Sequence, residues 1–201
     1  MITVVTCVTN PTHYMWWLGK SLMEEQDEFK LIKAPIELSL HDAYNWAIDR
    51  VDTKYIAFIH ADVGLLEDGR WFSKVEKICD SLPNLGVAGV IGRGFNGEHY
   101  GCAMYARVDN PRTKCIFKGR KYVGAQVYGE ITESKIAQTV DHMIMIVPTE
   151  VAKRRKFDPQ FTDHCGAEDF CLAIAKLELK AYVIPCGAWH KPCLLYTSDA
   201  A

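Results

Sequence analysis

No CxxC pair occurs among the eight cysteines, and Cys7, Cys79, Cys102 and Cys115 stand far apart. That removes the usual framework of a stapled mini-domain or a zinc ribbon, so reduced, structural thiols are expected. No apolar run approaches the roughly 18 to 20 residues of a membrane span, and no transmembrane segment is expected. Nor does one charge dominate. With 23 basic and 25 acidic residues the formal charge is −2, which favours neither nucleic acid nor an anionic membrane as a partner. Any anion must be held locally. The opening MITVVTCVTN has no basic leader region before its β-branched run and reads as the first strand of a cytoplasmic protein. No internal repeat or low-complexity linker interrupts the chain, so residues 1–192 read as one domain. Residues 193–201, CLLYTSDAA, resemble the translated end of a sequencing-library adapter and are set aside as a non-native tail.

What is present alternates. The strand-like runs ITVVTCV, FKLIKA, YIAFIHA and GVAGVIG are interleaved with helix-like stretches near residues 40–50 and 70–82. This predicts an α/β domain with a mostly parallel central sheet flanked by helices. Ser39 with Asp42 predicts a capping-box-like helix start, after which Ala43, Trp46, Ala47 and Arg50 share a face. From Arg93 to Gly129 neither period is sustained, and the Gly-rich, basic stretch reads as an irregular excursion with room for short strands. Order returns with DHMIMIVPTEV, a strand and a short helix. It continues in GAEDFCLAIAKLELKAYVIP, a helix with the stripe Phe170, Ala173, Ile174 and Leu177, followed by a strand.

Chemistry concentrates where YIAFI gives way to His60, Ala61 and Asp62. In open α/β sheets ligands gather at the carboxyl ends of strands. A carboxylate there can bind a divalent cation bridging two phosphates, and an imidazole suits manganese better than magnesium. Asp62 can equally cap a turn. The segment HCGAEDF puts Glu168 and Asp169 in the first turn of a helix, where the dipole favours acids whatever their role. Asp169 flanks the buried Phe170 stripe and follows Gly166, whose missing side chain would let a substrate approach the backbone. A partly desolvated carboxylate can serve as a general base. His190 lies just beyond AYVIP, and Asp141 precedes HMIMIV, where it can cap the strand or accept a hydrogen bond from a sugar hydroxyl. Residues 92–97 satisfy GxGxxG, but no amphipathic helix follows them. His164, Cys165, Cys186 and His190 have spacings that match no usual zinc set, and Lys153 to Lys156 reads as a solvated helix end.

In order and spacing, AYNWAIDRVDTKYIAFIHADV and VDHMIMIVPTEV…FDPQF…HCGAEDFCLAIAKLELKAYVIPCGAWH resemble the glycosyltransferase family 2 group of GT-A fold. The likeness is greatest to its streptomycin-biosynthesis-like branch and runs from about residue 2 to residue 190. It implies a single-domain, Rossmann-like GT-A fold and transfer of a sugar from a nucleotide-sugar donor to a glycan, lipid-linked or small-molecule acceptor. It also implies a divalent metal, Mn2+ or Mg2+, at the donor diphosphate. Asp62, at the last position of a DxD-like motif, and His190 would be the metal ligands. Asp169 would be the base of an inverting enzyme, with Glu168 as the alternative. Asp141, His60, Gly166 and His164 would line the substrate. His60 stands where many relatives carry aspartate. The alternative is a non-catalytic module of the same fold that binds a nucleotide or carbohydrate.

Overall fold

The computed structural model of the chain describes residues 1–66, 69–106, 114–117, 119–123, 125–162 and 165–190. The aliphatic run Ile2–Cys7 forms β1, buried except at Cys7. Asn10 then caps α1 (Pro11–Trp16) by accepting from the His13 N–H at 3.0 Å, with Pro11 where a missing N–H costs nothing. α1 and α2 (Leu18–Glu24) were not foreseen, because helices of six and seven residues are too short to show a period. After β2 (Phe29–Ala34) comes α3 (Leu40–Ile48). Ser39 caps it by accepting from the Asp42 N–H at 3.3 Å and donating to the Asp42 carboxylate at 2.7 Å. β3 (Tyr55–Ile59), β4 (Val63–Leu65), α4 (Trp71–Ser81) and β5 (Leu85–Gly89) follow.

The expected irregular excursion is instead largely strand. It contains β6 (Ile91–Arg93), β7 (His99–Ala106), β8 (Lys114–Phe117), β9 (Arg120–Val123) and β10 (Ala125–Glu130). β7 and β10 pair antiparallel, with a register shift between Val127 and Gly129. A Cβ on Gly101 would press on the Tyr128 ring, and one on Gly129 would press on the Gly101 backbone. Glycines needed for this close approach interrupt the alternation by which a strand is recognised. Arg112 and Lys118, among the basic residues of this stretch, lie outside the described residues. β11 (Lys135–Ala137), β12 (Thr139–Val140), β13 (Ile144–Pro148), α5 (Thr149–Arg154), α6 (Gly166–Ala175), β14 (Lys180–Val183) and β15 (Ala188–His190) complete the chain order.

The central sheet runs β11-β14-β5-β13-β3-β1-β2. β13 pairs antiparallel with both β3 and β5, and β11 antiparallel with β14, so the sheet is mixed where a mostly parallel one was expected. An all-apolar strand such as IMIVP reads the same in either direction, and periodicity carries no sense of polarity. Reversal has a consequence for the site: Ile144, at the start of β13, lies opposite Ile59, at the end of β3. A second sheet, β12-β6-β7-β15-β4 with β10 also on β7, stands at that edge.

Strand alternation divides the core. Tyr55, Ala57 and Ile59 pack with Leu18, Trp71, Phe72 and Val75, whereas Ile56 and Phe58 pack with Tyr44, Ala47, Ile48, Phe157 and Phe170. The fully buried Phe58 ring lies 4.6 Å from Tyr44 and 5.2 Å from Phe157. Phe58→Ala is expected to cost about 3–5 kcal/mol, read from denaturant unfolding as a lower midpoint at unchanged slope. No helix among the described residues is long and apolar enough to cross a membrane.

Candidate functional site

Three backbone connections bring distant side chains together at the carboxyl end of β3. The His60 N–H donates to Met143 O at 3.0 Å, tying β3 to the turn before β13. Val63 N–H donates back to His60 O at 3.2 Å, closing the turn that carries Asp62. β15 pairs with β4 and β7, placing His190 opposite Val63 and Tyr105. As a result, one ligand atom each from His60, Asp62 and His190 lies within 4.8 Å of the others.

The donor set is chemically poised. His190 Nε2 stands 3.4 Å from Asp62 Oδ1, and each side chain is 17% exposed. Burial, reinforced by His190, holds His60 below the ordinary imidazole range, so the ring is neutral with a lone pair to offer. Burial pushes the Asp62 carboxyl up, but the His190 hydrogen bond and the two imidazoles outweigh it and hold it below the usual range. His60 Nε2 and His190 Nδ1 are buried without a hydrogen-bond partner among the described residues. Buried polar atoms are rarely left so. Two imidazoles and a carboxylate with unengaged ring nitrogens fit a divalent transition ion. Cys165 and Cys186 are not in this cluster, which disfavours the zinc set considered from sequence.

Asp141 stands beside the cluster. Its Oδ1 accepts from the Met143 N–H at 2.8 Å, and its N–H donates to Ile91 O at 2.8 Å. Its charge acts on His60, Tyr105 and Tyr128, so these groups lie near one another. The Tyr105 ring lies 5.4 Å from His190. The buried Tyr44 hydroxyl has no partner among the described residues, and burial, with Cys7 and Asp62, pushes its pKa well up. Sequence reasoning missed Tyr44, Tyr105, His41 and His142. One signal was present: His41, Tyr44 and Ile48 recur at helical spacing, which puts a histidine on the apolar stripe of α3.

The acids of α6 have different surroundings. Glu168 is exposed and makes no ion pair among the described residues. Asp169 pairs with Arg155 at 2.6 Å, with side chains 26% and 28% exposed. It lines a groove of about 470 Å³ with Arg154, Leu172 and Lys176, apart from the His60 cluster. Gly166 is buried, and the space beside it is filled by the His41 ring. Gly166→Ala is expected to destabilise by about 3 kcal/mol, because neither helix nor imidazole can yield. Thermal unfolding should show a fall of roughly 6–12 °C. His164 lies outside the described residues.

No protein-family model and no curated protein matches the sequence. Solved structures do match the fold. One is GalNAc-T7 with UDP, GalNAc and Mn2+, at TM-score 0.63 and 9% identity over 95% of this chain and 44% of that one. Another is the mannosyltransferase PcManGT from Pyrobaculum calidifontis with GDP-Man and Mn2+, at TM-score 0.57 and 12% identity over 92% of this chain and 55% of that one. The chain thus spans about half the length of these neighbours. The likeness establishes an α/β domain of the Rossmann-like GT-A fold.

Proposed function

We propose that the chain is a nucleotide-sugar-dependent glycosyltransferase of the family 2 type its sequence resembles, acting on a glycan, lipid-linked or small-molecule acceptor. The observation that carries this reading is the convergence of His60, Asp62 and His190 at the carboxyl edge of a GT-A-fold sheet. The solved neighbours hold Mn2+ with a nucleotide or nucleotide sugar. His60, Asp62 and His190 would hold the divalent cation here, Mn2+ in preference to Mg2+, which favours oxygen ligands. When bound, such a cation neutralises charge building on a leaving diphosphate.

The chain's own groups do the rest. Asp141 keeps one carboxylate oxygen free of its Met143 bond and accepts from a sugar hydroxyl. Glu168, unpaired among the described residues, takes the proton of the acceptor hydroxyl as it attacks the anomeric carbon. A single displacement of this kind inverts that carbon. Asp169, the first choice from sequence, is engaged by Arg155 and ties the start of α6 to α5. The buried thiols Cys79 and Cys171 fit the reducing, cytoplasmic compartment proposed for the chain.

The test is a thermal-shift panel of UDP- and GDP-sugars with and without Mn2+, followed by release of nucleoside diphosphate. A Mn2+-dependent shift with one donor and turnover of that donor is expected. No Mn2+-dependent shift across the panel overturns the proposal, and binding without turnover returns the chain to a non-catalytic module.

A further inference from the structure

His41 and His142 form a second imidazole cluster that the proposed transfer does not use. His41 is fully buried, its ring stacked on Phe157 at 5.4 Å and 11°. Its Nδ1 meets the Phe161 carbonyl, and its Nε2 lies 3.3 Å from Nε2 of His142. A carbonyl oxygen only accepts, so His41 Nδ1 carries a hydrogen. In an uncharged pair His41 Nε2 is then the acceptor, and His142 donates from its own Nε2. A single arrangement of hydrogens therefore satisfies both contacts.

The pair joins three segments that carry the site. Asn45, one turn after His41, exchanges two 2.9 Å hydrogen bonds with the Phe157 backbone, so α3 grips residues 157–161 twice. Gly166 opens α6 directly against the His41 ring. His142 lies between Asp141 and Met143, whose carbonyl holds the His60 N–H, and its ring centroid is 5.5 Å from that of His60. We infer that His41 and His142 are positioning residues whose directed N–H···N bond sets the spacing between the first turn of α6 and the His60–Asp62–His190 cluster. Only the further step, that this spacing serves Glu168 and a donor sugar, rests on the function proposed above.

Long-range proton–nitrogen correlation spectra of the full chain read the tautomers without any substitution. His41 is expected as the Nδ1–H form and His142 as the Nε2–H form. The opposite tautomer at either ring overturns the inference. Substitution reads the consequence, because glutamine carries an N–H near the place of Nε2 and asparagine one nearer Nδ1. With Mn2+ present, His142→Gln is expected to keep native amide exchange across residues 166–170. His142→Asn and His142→Phe should lose roughly tenfold or more protection there while strand Tyr55–Ile59 is unchanged. Equal behaviour of the Gln and Asn variants also overturns the inference. With the donor found by the thermal-shift panel, His142→Asn should lower kcat at unchanged donor KM and His142→Gln should restore it. Lost protection at normal turnover would sink the Glu168 assignment and leave the positioning pair standing.

Discussion

Asp62→Ala is expected to abolish the stabilisation that the proposed site would draw from Mn2+ with a nucleoside diphosphate. A ligand present at a hundred times its Kd adds about 2.7 kcal/mol to the native state. For a domain of this size that raises the Tm by roughly 5–10 °C. Asp62 supplies the carboxylate of the cluster, and without it only two imidazoles remain of the three candidate ligands. Since losing even an outer-shell partner of a metal typically costs 10–100-fold in affinity, losing the carboxylate itself should cost about 100-fold or more. The fold should survive. Asp62 sits in the turn after β3 with its side chain 17% exposed and contacts His190, so the unliganded Tm should move by only a few degrees. Scanning fluorimetry with UDP or GDP, Mn2+ or Mg2+, decides the matter. Mn2+ should act more strongly than Mg2+ on the wild type, and a variant that shifts as far as wild type would show that the cation is held elsewhere.

The second large effect concerns turnover. Glu168→Gln preserves shape and hydrogen bonding but removes the proton acceptor, so the transfer rate should fall by roughly a hundredfold or more at unchanged donor affinity. Asp169→Asn should act differently. It weakens the 2.6 Å pair with Arg155, which links α5 to α6, and should cost about 1 kcal/mol of stability with a smaller loss of rate. Calorimetric donor binding and initial rates on both variants separate the two roles. An inactive Asp169→Asn beside an active Glu168→Gln would return the base to Asp169. Two active variants would remove α6 as its source.

What could be read in advance depended on how local the cause was. The end of β3 on His60 and Asp62, the Ser39 cap of α3 and the Phe170 and Ile174 positions of α6 are each written within a few residues, so periodicity and capping exposed them. Leu177, however, falls beyond the end of α6, and Cys171 joins its buried face instead. The direction of β13 is not local, since every residue of IMIVP is apolar and only its partners fix its sense. Neither is the role of His41. Its hydrogen bond to Phe161 spans 120 positions and that to His142 spans 101, distances at which no pattern survives in the sequence. The Arg155–Asp169 pair is nearer, at 14 positions, but it crosses from one helix to the next and leaves no period either.

The order in which these pieces emerge during synthesis follows from the place of β15. Every strand of the central sheet has been made once Val183 is joined, whereas His190 is delivered by a strand of the neighbouring sheet several residues later. Cys186 and Ala188 are themselves core residues beside Trp71, so the stretch that completes one face of the core also delivers the third ligand. Both core clusters are built from apolar side chains, so on the function proposed above, metal starvation during growth should yield folded, empty protein that recovers on adding the ion.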